Sequence, residues 1–228
     1  MNATCPFCLE IRDPGYYKKA LDEAWPFPDR ILAENDGAIA VPTIGPLVYP
    51  HALVISKTHS LSFLGSEESV RVAMISLLDN LAESGEFGQT LSKRHDLLIF
   101  EHGGTSTGET SCQCIEHCHL QVCVGVLGLI NWFRENRTHA KLEKICLSQP
   151  SSRDFRSYLF AGYYRHETCQ IEGYIEFNPE ARRHYFRDLL VRKLEMAGHG
   201  SGWTRRMNPQ WMISLYEAFQ RKRAPASA

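Results

Sequence analysis

The sequence lacks the features that mark several classes of protein. No segment approaches the roughly 18 to 20 apolar residues that a transmembrane helix requires, because the longest candidate, 122–133, contains two glycines and an asparagine. The chain shows no internal repeat, and no low-complexity stretch apart from its last few residues. Its N-terminus has no basic region followed by an apolar one, so no signal peptide is predicted. These absences predict a cytoplasmic protein without a membrane anchor.

A strong net charge is also missing, because the formal net charge is −1. The basic residues are nevertheless concentrated towards the C-terminus, where residues 182–223 hold 10 basic and 3 acidic side chains. Such a run is typical of a solvated helix face, although it also attracts phosphate groups. Basic and aromatic residues do not interleave as in nucleic-acid-binding proteins, so nucleic acid is not a predicted partner.

The chain has 228 residues, of which 43% are hydrophobic, and this composition is typical of a globular protein with a large core. Apolar and β-branched runs predict strands and a hairpin: 38–42, 52–56, 97–100, 118–126 and 158–177. Helical spacing of apolar residues predicts one helix capped by Ser66 and two later helices, over 182–197 and from Pro209 onwards. The pattern predicts an α+β fold with mostly antiparallel strands.

Eight cysteines are present, and their role depends on the compartment. Disulfides are not expected without a signal peptide. Cys5 and Cys8 form a Cys-x-x-Cys pair, which in a cytosolic protein indicates a metal site or a redox pair. Four others are interpreted as small buried apolar residues: Cys118, Cys123, Cys146 and Cys169.

The most informative segment surrounds a pair of histidines. Strand side chains alternate between faces, so His117, His119 and Gln121 are expected on one face, with Cys118 and Leu120 on the other. A solvated polar face is one explanation of this trio. Because the trio directly follows a glycine-rich loop, which the chain can shape around a ligand, we favour a functional site.

At these residues the sequence resembles the histidine-triad (HIT) superfamily, whose motif is His-φ-His-φ-His-φ-φ with φ apolar. The matching residues are His117-Cys-His119-Leu-Gln121-Val-Cys, with glutamine at the third histidine position. That replacement resembles the branch that contains galactose-1-phosphate uridylyltransferase and the diadenosine tetraphosphate phosphorylases.

Three further segments are similar to family sequences: Cys5-Pro-Phe-Cys8, His51-Ala-Leu-Val-Ile-Ser-Lys57-Thr-His59 and Phe100-Glu101-His102-Gly103. Together the four segments span roughly residues 5–125, in the family's order. The resemblance implies a HIT-like antiparallel sheet with flanking helices. We expect a catalytic domain over 1–150, and a C-terminal hairpin and helical extension over 151–228 packed on it.

The resemblance implies that His119 is the nucleophile of a covalent nucleotidyl-histidine, flanked by His117 and Gln121 as the other catalytic positions. A carboxamide donates and accepts hydrogen bonds but does not exchange a proton. Proton transfer then falls to the leaving group or to the acceptor. This favours a nucleotidyltransferase or phosphorylase whose acceptor is phosphate or a phosphorylated sugar.

The loop over 103–111 is expected to present backbone N–H groups to phosphate oxygens. The candidate phosphate-binding residues are Gly104, Thr110, Ser111 and Gln113. In one respect the chain departs from the family pattern, because Thr43 stands where many members have an aspartate that binds ribose hydroxyls. The expected substrate is therefore a nucleotide or another phosphorylated small molecule.

The resemblance to zinc-containing members also implies a structural Zn²⁺ bound by Cys5, Cys8, His59 and His117, a closed tetrahedral set. Other thiol and imidazole ligands stay open as alternatives: Cys112, Cys114, His51, His95 and His102. Two rival functions also stay open, namely a hydrolase that uses the same histidine and a non-catalytic, zinc-stabilised nucleotide-binding protein. Family members are often homodimers, so a homodimer is a further expectation.

Overall fold

A single antiparallel sheet organises the chain in the computed structural model, which describes residues 2, 4–21, 25–88, 96–105, 115–124, 128–148, 154–181, 184–194 and 208–223. The eight strands have the spatial order β1-β2-β3-β5-β4-β7-β8-β6, and each adjacent pair is antiparallel. In chain order they are β1 (Ala33–Glu34), β2 (Ala38–Pro42), β3 (His51–Ser56), β4 (Asp96–Gly104), β5 (His119–Cys123), β6 (Glu143–Cys146), β7 (Ser157–Arg165) and β8 (Gln170–Phe177).

Helices cover both faces of this sheet. They are α1 (Pro6–Arg12), α2 (Tyr16–Leu21), α3 (Glu68–Ala82), α4 (Gly85–Gly88), α5 (Leu129–Asn136), α6 (Tyr185–Lys193) and α7 (Pro209–Arg223), with a short 3₁₀ turn at His166–Thr168 between β7 and β8. The helix α3 packs on β2 and β3, and its buried side chains include Met74, Leu77 and Leu78. On the opposite face, Phe133 of α5 and Phe186 of α6 pack with Phe100 of β4.

The α+β prediction is confirmed, with an antiparallel sheet, flanking helices and a C-terminal helix. Strand β2 has the predicted bounds, and β3 begins one residue earlier than predicted. The predicted hairpin is formed by β7 and β8, which turn at His166–Thr168. The hairpin lies in the same sheet as β4, so the sheet continues past residue 150; the domain boundary there stays a prediction.

Three details of the sequence prediction were wrong. Ser66 is not the N-cap of α3; Glu67 is, and the Ser66 hydroxyl donates to the Ser62 carbonyl. Cys169 is exposed rather than buried, because it occupies the turn of the β7–β8 hairpin, and Cys146 is only partly buried. None of the helices in the described part of the chain is long and apolar enough to cross a lipid bilayer.

Candidate active site and metal cluster

The central strand β5 carries the two polar side chains predicted to share a face. His119 pairs with Ile55 and Gln121 with Leu53 on β3, and Gln121 also lies opposite Phe100 on β4. His119, Gln121 and Phe100 all line one cavity, so the predicted alternation holds for these positions. His117 precedes β5, and its ring lies in a separate cluster described below.

One ring nitrogen of His119 is held by the backbone. Its Nδ1 lies 2.7 Å from the His117 carbonyl oxygen, so Nδ1–H donates to that oxygen. A neutral imidazole has one N–H, so Nε2 then carries a lone pair. Burial lowers the pKa of His119, which favours this neutral form. The ring is therefore fixed in the tautomer that a nucleophile needs.

The carboxamide of Gln121 is oriented by a buried histidine. His51 Nε2 lies 2.8 Å from Gln121 Oε1, and His51 is 2% exposed. Burial, reinforced by the positive charge of Arg187, lowers the pKa of His51 to about 3. The neutral ring thus donates through Nε2–H to the amide oxygen, which leaves the amide N–H groups of Gln121 as donors for the cavity.

The cavity has a volume of about 440 Å³ and lies between the sheet, the N-terminal segment and the first turn of α6. Aromatic rings form much of its wall: Phe7, Tyr16, Tyr17, Phe100, Tyr185 and Phe186. A pocket of this size and apolar character suits a small organic ligand, with the few polar groups determining its orientation.

Two buried arginines give the cavity wall positive charge. Arg30 is bound by the Glu10 carboxylate, with Nη2 2.8 Å from Oε2. Arg187, at the start of α6, is 8% exposed and donates from Nη2 to the Gly45 carbonyl 2.9 Å away. An arginine presents several donors in a planar fork that matches phosphate oxygens, so Arg187 is a candidate anion-binding residue.

A cluster of thiol and imidazole groups lies beside the cavity. Cys5, Cys8, His59 and His117 place one ligand atom each within 4.8 Å of one another. His117 Nδ1 is 3.3 Å from Cys5 Sγ and 3.6 Å from Cys8 Sγ, and His59 Nδ1 is 3.3 Å from both Cys8 Sγ and His117 Nδ1. Tetrahedral zinc with ordinary Zn–S and Zn–N bonds implies ligand–ligand separations of about 3.3 to 3.8 Å. The predicted ligand set therefore fits zinc.

The tautomer of His117 also suits a metal. Its Nε2 lies 2.7 Å from the Ser56 carbonyl oxygen and donates to it, which leaves the lone pair of Nδ1 facing the other ligands. Histidine ligands are commonly oriented in this way by a second hydrogen bond. The alternative ligands His51 and His102 are not part of this cluster, and Cys112, Cys114 and His95 lie outside the described residues.

The metal cluster and the cavity share a wall. Cys5 caps α1 and Cys8 lies in its first turn, and Phe7 between them packs edge-on against two rings. Its centroid is 5.7 Å from that of His117 and 5.2 Å from that of His119. Binding of a metal by the two cysteines would therefore also fix one side of the surroundings of His119.

Sequence reasoning missed several residues that line the cavity. Arg30, Arg187, His184 and Tyr185 come from segments without a recognisable motif. His102 was named only as an alternative metal ligand, although the alternation of Phe100 and His102 along β4 would have placed it on the cavity face.

Some of the predicted phosphate-binding residues are not in the described part of the chain. Thr110, Ser111 and Gln113 lie outside the described residues, so their role stays a prediction. Gly104 ends β4, where it pairs with Ser157, and it is not one of the residues that line the cavity.

No protein-family model matches the chain, and no curated protein matches it significantly. Solved structures are similar at 15–22% identity. A HIT family hydrolase from Clostridium thermocellum is 22% identical, with 56% of this chain and 95% of that one covered and a TM-score of 0.38. A hypothetical histidine triad nucleotide-binding protein from Sulfolobus tokodaii strain 7 is 15% identical, with coverage of 97% and 98% and a TM-score of 0.35. A zinc-bound histidine triad family protein from Mycobacterium smegmatis is 15% identical, with coverage of 85% and 97% and a TM-score of 0.32. Similarity at this level does not determine the reaction that this chain performs.

Proposed function

We propose that the protein is a HIT-like nucleotidyltransferase or phosphorylase that acts through a covalent nucleotidyl-His119. The observation that carries the proposal is the hydrogen bond from His119 Nδ1 to the His117 carbonyl, at 2.7 Å, because it leaves Nε2 as the reactive nitrogen in the wall of the cavity. The chemistry divides into two phosphoryl displacements at the same phosphorus atom.

In the first displacement, the Nε2 lone pair of His119 attacks the α-phosphorus of a nucleotide. A P–N bond forms, the P–O bond to the leaving phosphate breaks, and its electron pair stays with the leaving oxygen. The hydrogen bond to the His117 carbonyl persists and stabilises the positive charge that develops on the ring. In the second displacement an acceptor oxygen attacks phosphorus, and the P–N electron pair returns to Nε2.

Gln121 and Arg187 are assigned to the charge of the phosphoryl group. The amide N–H groups of Gln121 are free to donate to a phosphate oxygen, because its oxygen is engaged by His51 at 2.8 Å. Arg187 adds a buried positive charge to the cavity that Gln121 lines. Neither side chain exchanges a proton near neutral pH, so this pair favours an acceptor that is already anionic, such as phosphate or a sugar phosphate.

Zinc fits the cluster of Cys5, Cys8, His59 and His117 as a structural ion, because all four positions of a tetrahedron are filled by protein atoms. A metal bound there would hold α1 and Phe7 against His119 and would supply no coordination site for the substrate. The catalytic groups are accordingly the side chains of the cavity.

The experiment is to trap the intermediate. The protein is incubated with ATP labelled at the α-phosphorus, and with a panel of dinucleoside polyphosphates and nucleoside diphosphate sugars, then quenched in alkali, where a phosphoramidate survives. We expect label on the wild type and on His139→Ala, an exposed control, and none on His119→Ala. Label that persists in His119→Ala would show that His119 is not the nucleophile. Tight binding without label or turnover across the panel would instead identify a nucleotide-binding protein.

A further inference from the structure

His102 is an imidazole in the cavity that the proposed reaction has not used. It lies on β4, two residues beyond Phe100, and therefore on the same face of the strand. Phe100 pairs with Gln121, so continuing this antiparallel register by two residues brings His102 opposite His119. The backbone pairing of β4 and β5 ends at Phe100, which leaves the two imidazoles facing the same cavity without a backbone pair between them.

The ring nitrogens of His102 have no hydrogen-bond partner among the residues that the structure describes, although both are shielded from solvent. Among the described residues, the charged or titratable groups that face this ring are His119 on β5 and His184 at the start of α6, and its neighbour on β7 is Leu159. Burial, together with these two imidazoles, lowers the pKa of His102 to about 4. The resting ring is neutral and has a lone pair to offer.

A buried polar group without a partner costs free energy, commonly about 1 to 3 kcal/mol in proteins. Such a group is retained where a ligand or a reacting atom supplies the partner. In this cavity the group lies on the strand next to that of His119 and lines the same cavity, within reach of an acceptor bound there.

We propose that His102 is the general base of the second displacement, accepting the proton of a hydroxyl or water acceptor. The inference rests on the proposed function. The acceptor oxygen forms the new P–O bond, the P–N bond breaks and its electron pair returns to His119 Nε2, and the acceptor's proton passes to a ring nitrogen of His102. The imidazolium then returns this proton to solvent when the product leaves.

This role supplies what Gln121 lacks. A carboxamide takes no proton, so without His102 only an anionic acceptor is served, whereas His102 makes water and sugar hydroxyls competent acceptors. With His102 as general base, the reactions that the site serves therefore include hydrolysis and transfer to alcohols as well as phosphorolysis. The two kinds of acceptor also give a test, because pyrophosphate attacks through an oxygen that is already deprotonated.

The test measures how fast isolated, labelled protein transfers its nucleotidyl group to water and to pyrophosphate. His102→Gln is the variant, and His139→Gln is the exposed control. We expect His102→Gln to form label, to transfer it to pyrophosphate within about threefold of the wild-type rate, and to hydrolyse it at least about 100-fold more slowly. His102→Ala with added imidazole should recover hydrolysis, because the small base fits the space that the ring leaves.

Three outcomes separate the proposals. Discharge to water at the wild-type rate in His102→Gln overturns the role of His102 and leaves the covalent mechanism intact. Equal slowing towards water and pyrophosphate, without recovery by imidazole, shows that the ring is only structural and also overturns it. Failure of the wild type to form any label contradicts the proposed function itself.

Discussion

Glu101 is a carboxyl group held on the face of β4 that points away from the cavity. It is 2% exposed, and it accepts hydrogen bonds from the Phe63 backbone N–H at 2.9 Å and from the Tyr158 hydroxyl. Burial raises the pKa of Glu101 to about 8, against the smaller lowering effect of these donors. Gly103 makes the arrangement possible, because a Cβ there would lie 2.4 Å from the Tyr158 ring. The shift favours the protonated carboxyl in the folded protein at neutral pH.

This shift predicts a dependence of stability on pH. The folded state keeps the Glu101 proton up to a pKa of about 8, whereas an unfolded glutamate releases it at about 4.5. Between pH 4.5 and 8 the folded state therefore binds more protons than the unfolded state. The stabilisation that Glu101 contributes to the free energy of unfolding is present below pH 4.5 and is lost as pH rises to 8. The loss is about 1.4 kcal/mol per pH unit at most. Glu101→Gln should remove it.

Urea denaturation between pH 5 and 8 measures this effect as the difference between the wild type and Glu101→Gln. The other titrating groups are common to both proteins, so they cancel in the difference. We expect the wild type to lose stability relative to the variant as pH rises. A difference that does not change with pH would show that the carboxyl is ionised throughout.

Site residues that stand close together in the sequence were the easiest to predict. His119 and Gln121 follow strand alternation, and the Cys5 and Cys8 spacing indicates a metal site before any contact is known. Arg30 and Arg187 were not predictable, because a basic residue in a loop or on an amphipathic helix is usually solvated. Only packing against the sheet shows that both are buried beside the cavity.

At the level of elements, the strands that are buried on both faces could be predicted from the sequence. All five residues of β2 and all six of β3 are buried, which matches their apolar runs. Elements without such runs were missed, among them α1, α5 and β6. The strand β6 is only four residues long and mostly half-buried, so it lacks a hydrophobic signal. The helix α1 has seven residues, too few for a helix to be stable alone, so its structure depends on tertiary contacts.

The dependence of α1 on its contacts predicts the effect of removing a ligand of the metal cluster. Cys5→Ser or His59→Ala should lower the zinc content from one per chain towards zero. It should also reduce the free energy of unfolding by several kcal/mol, because metal binding to a folded site is coupled to folding. Elemental analysis and thermal denaturation measure the two effects.

Cys169→Ser provides the matched control, because Cys169 is exposed in the β7–β8 turn and lies outside the cluster. Its zinc content and melting temperature should equal those of the wild type. One zinc per chain retained in both Cys5→Ser and His59→Ala would place the metal on other ligands.

Over the whole molecule, the cavity is assembled from segments far apart in the sequence. Its walls come from α1 and α2, from the central strands, and from the first turn of α6. Phe7 contacts His117 of the metal cluster and His119 of the cavity at once. A change at either site therefore alters the packing of a ring that the other site also uses.

This shared ring predicts that metal and ligand binding are coupled. Removal of zinc should release Phe7 and weaken the binding of a nucleotide. Linkage then requires that the nucleotide tighten zinc binding by the same factor, which at a coupling of about 1 to 3 kcal/mol is about 5- to 150-fold. Calorimetry of a non-hydrolysable ATP analogue with metal-loaded and metal-free protein gives one factor, and chelator competition with and without the analogue gives the other. Phe7→Leu should reduce both factors equally, since a smaller side chain transmits less of the change. Equal nucleotide affinity in the metal-loaded and metal-free states of the folded protein would show that zinc binding and nucleotide binding are not coupled.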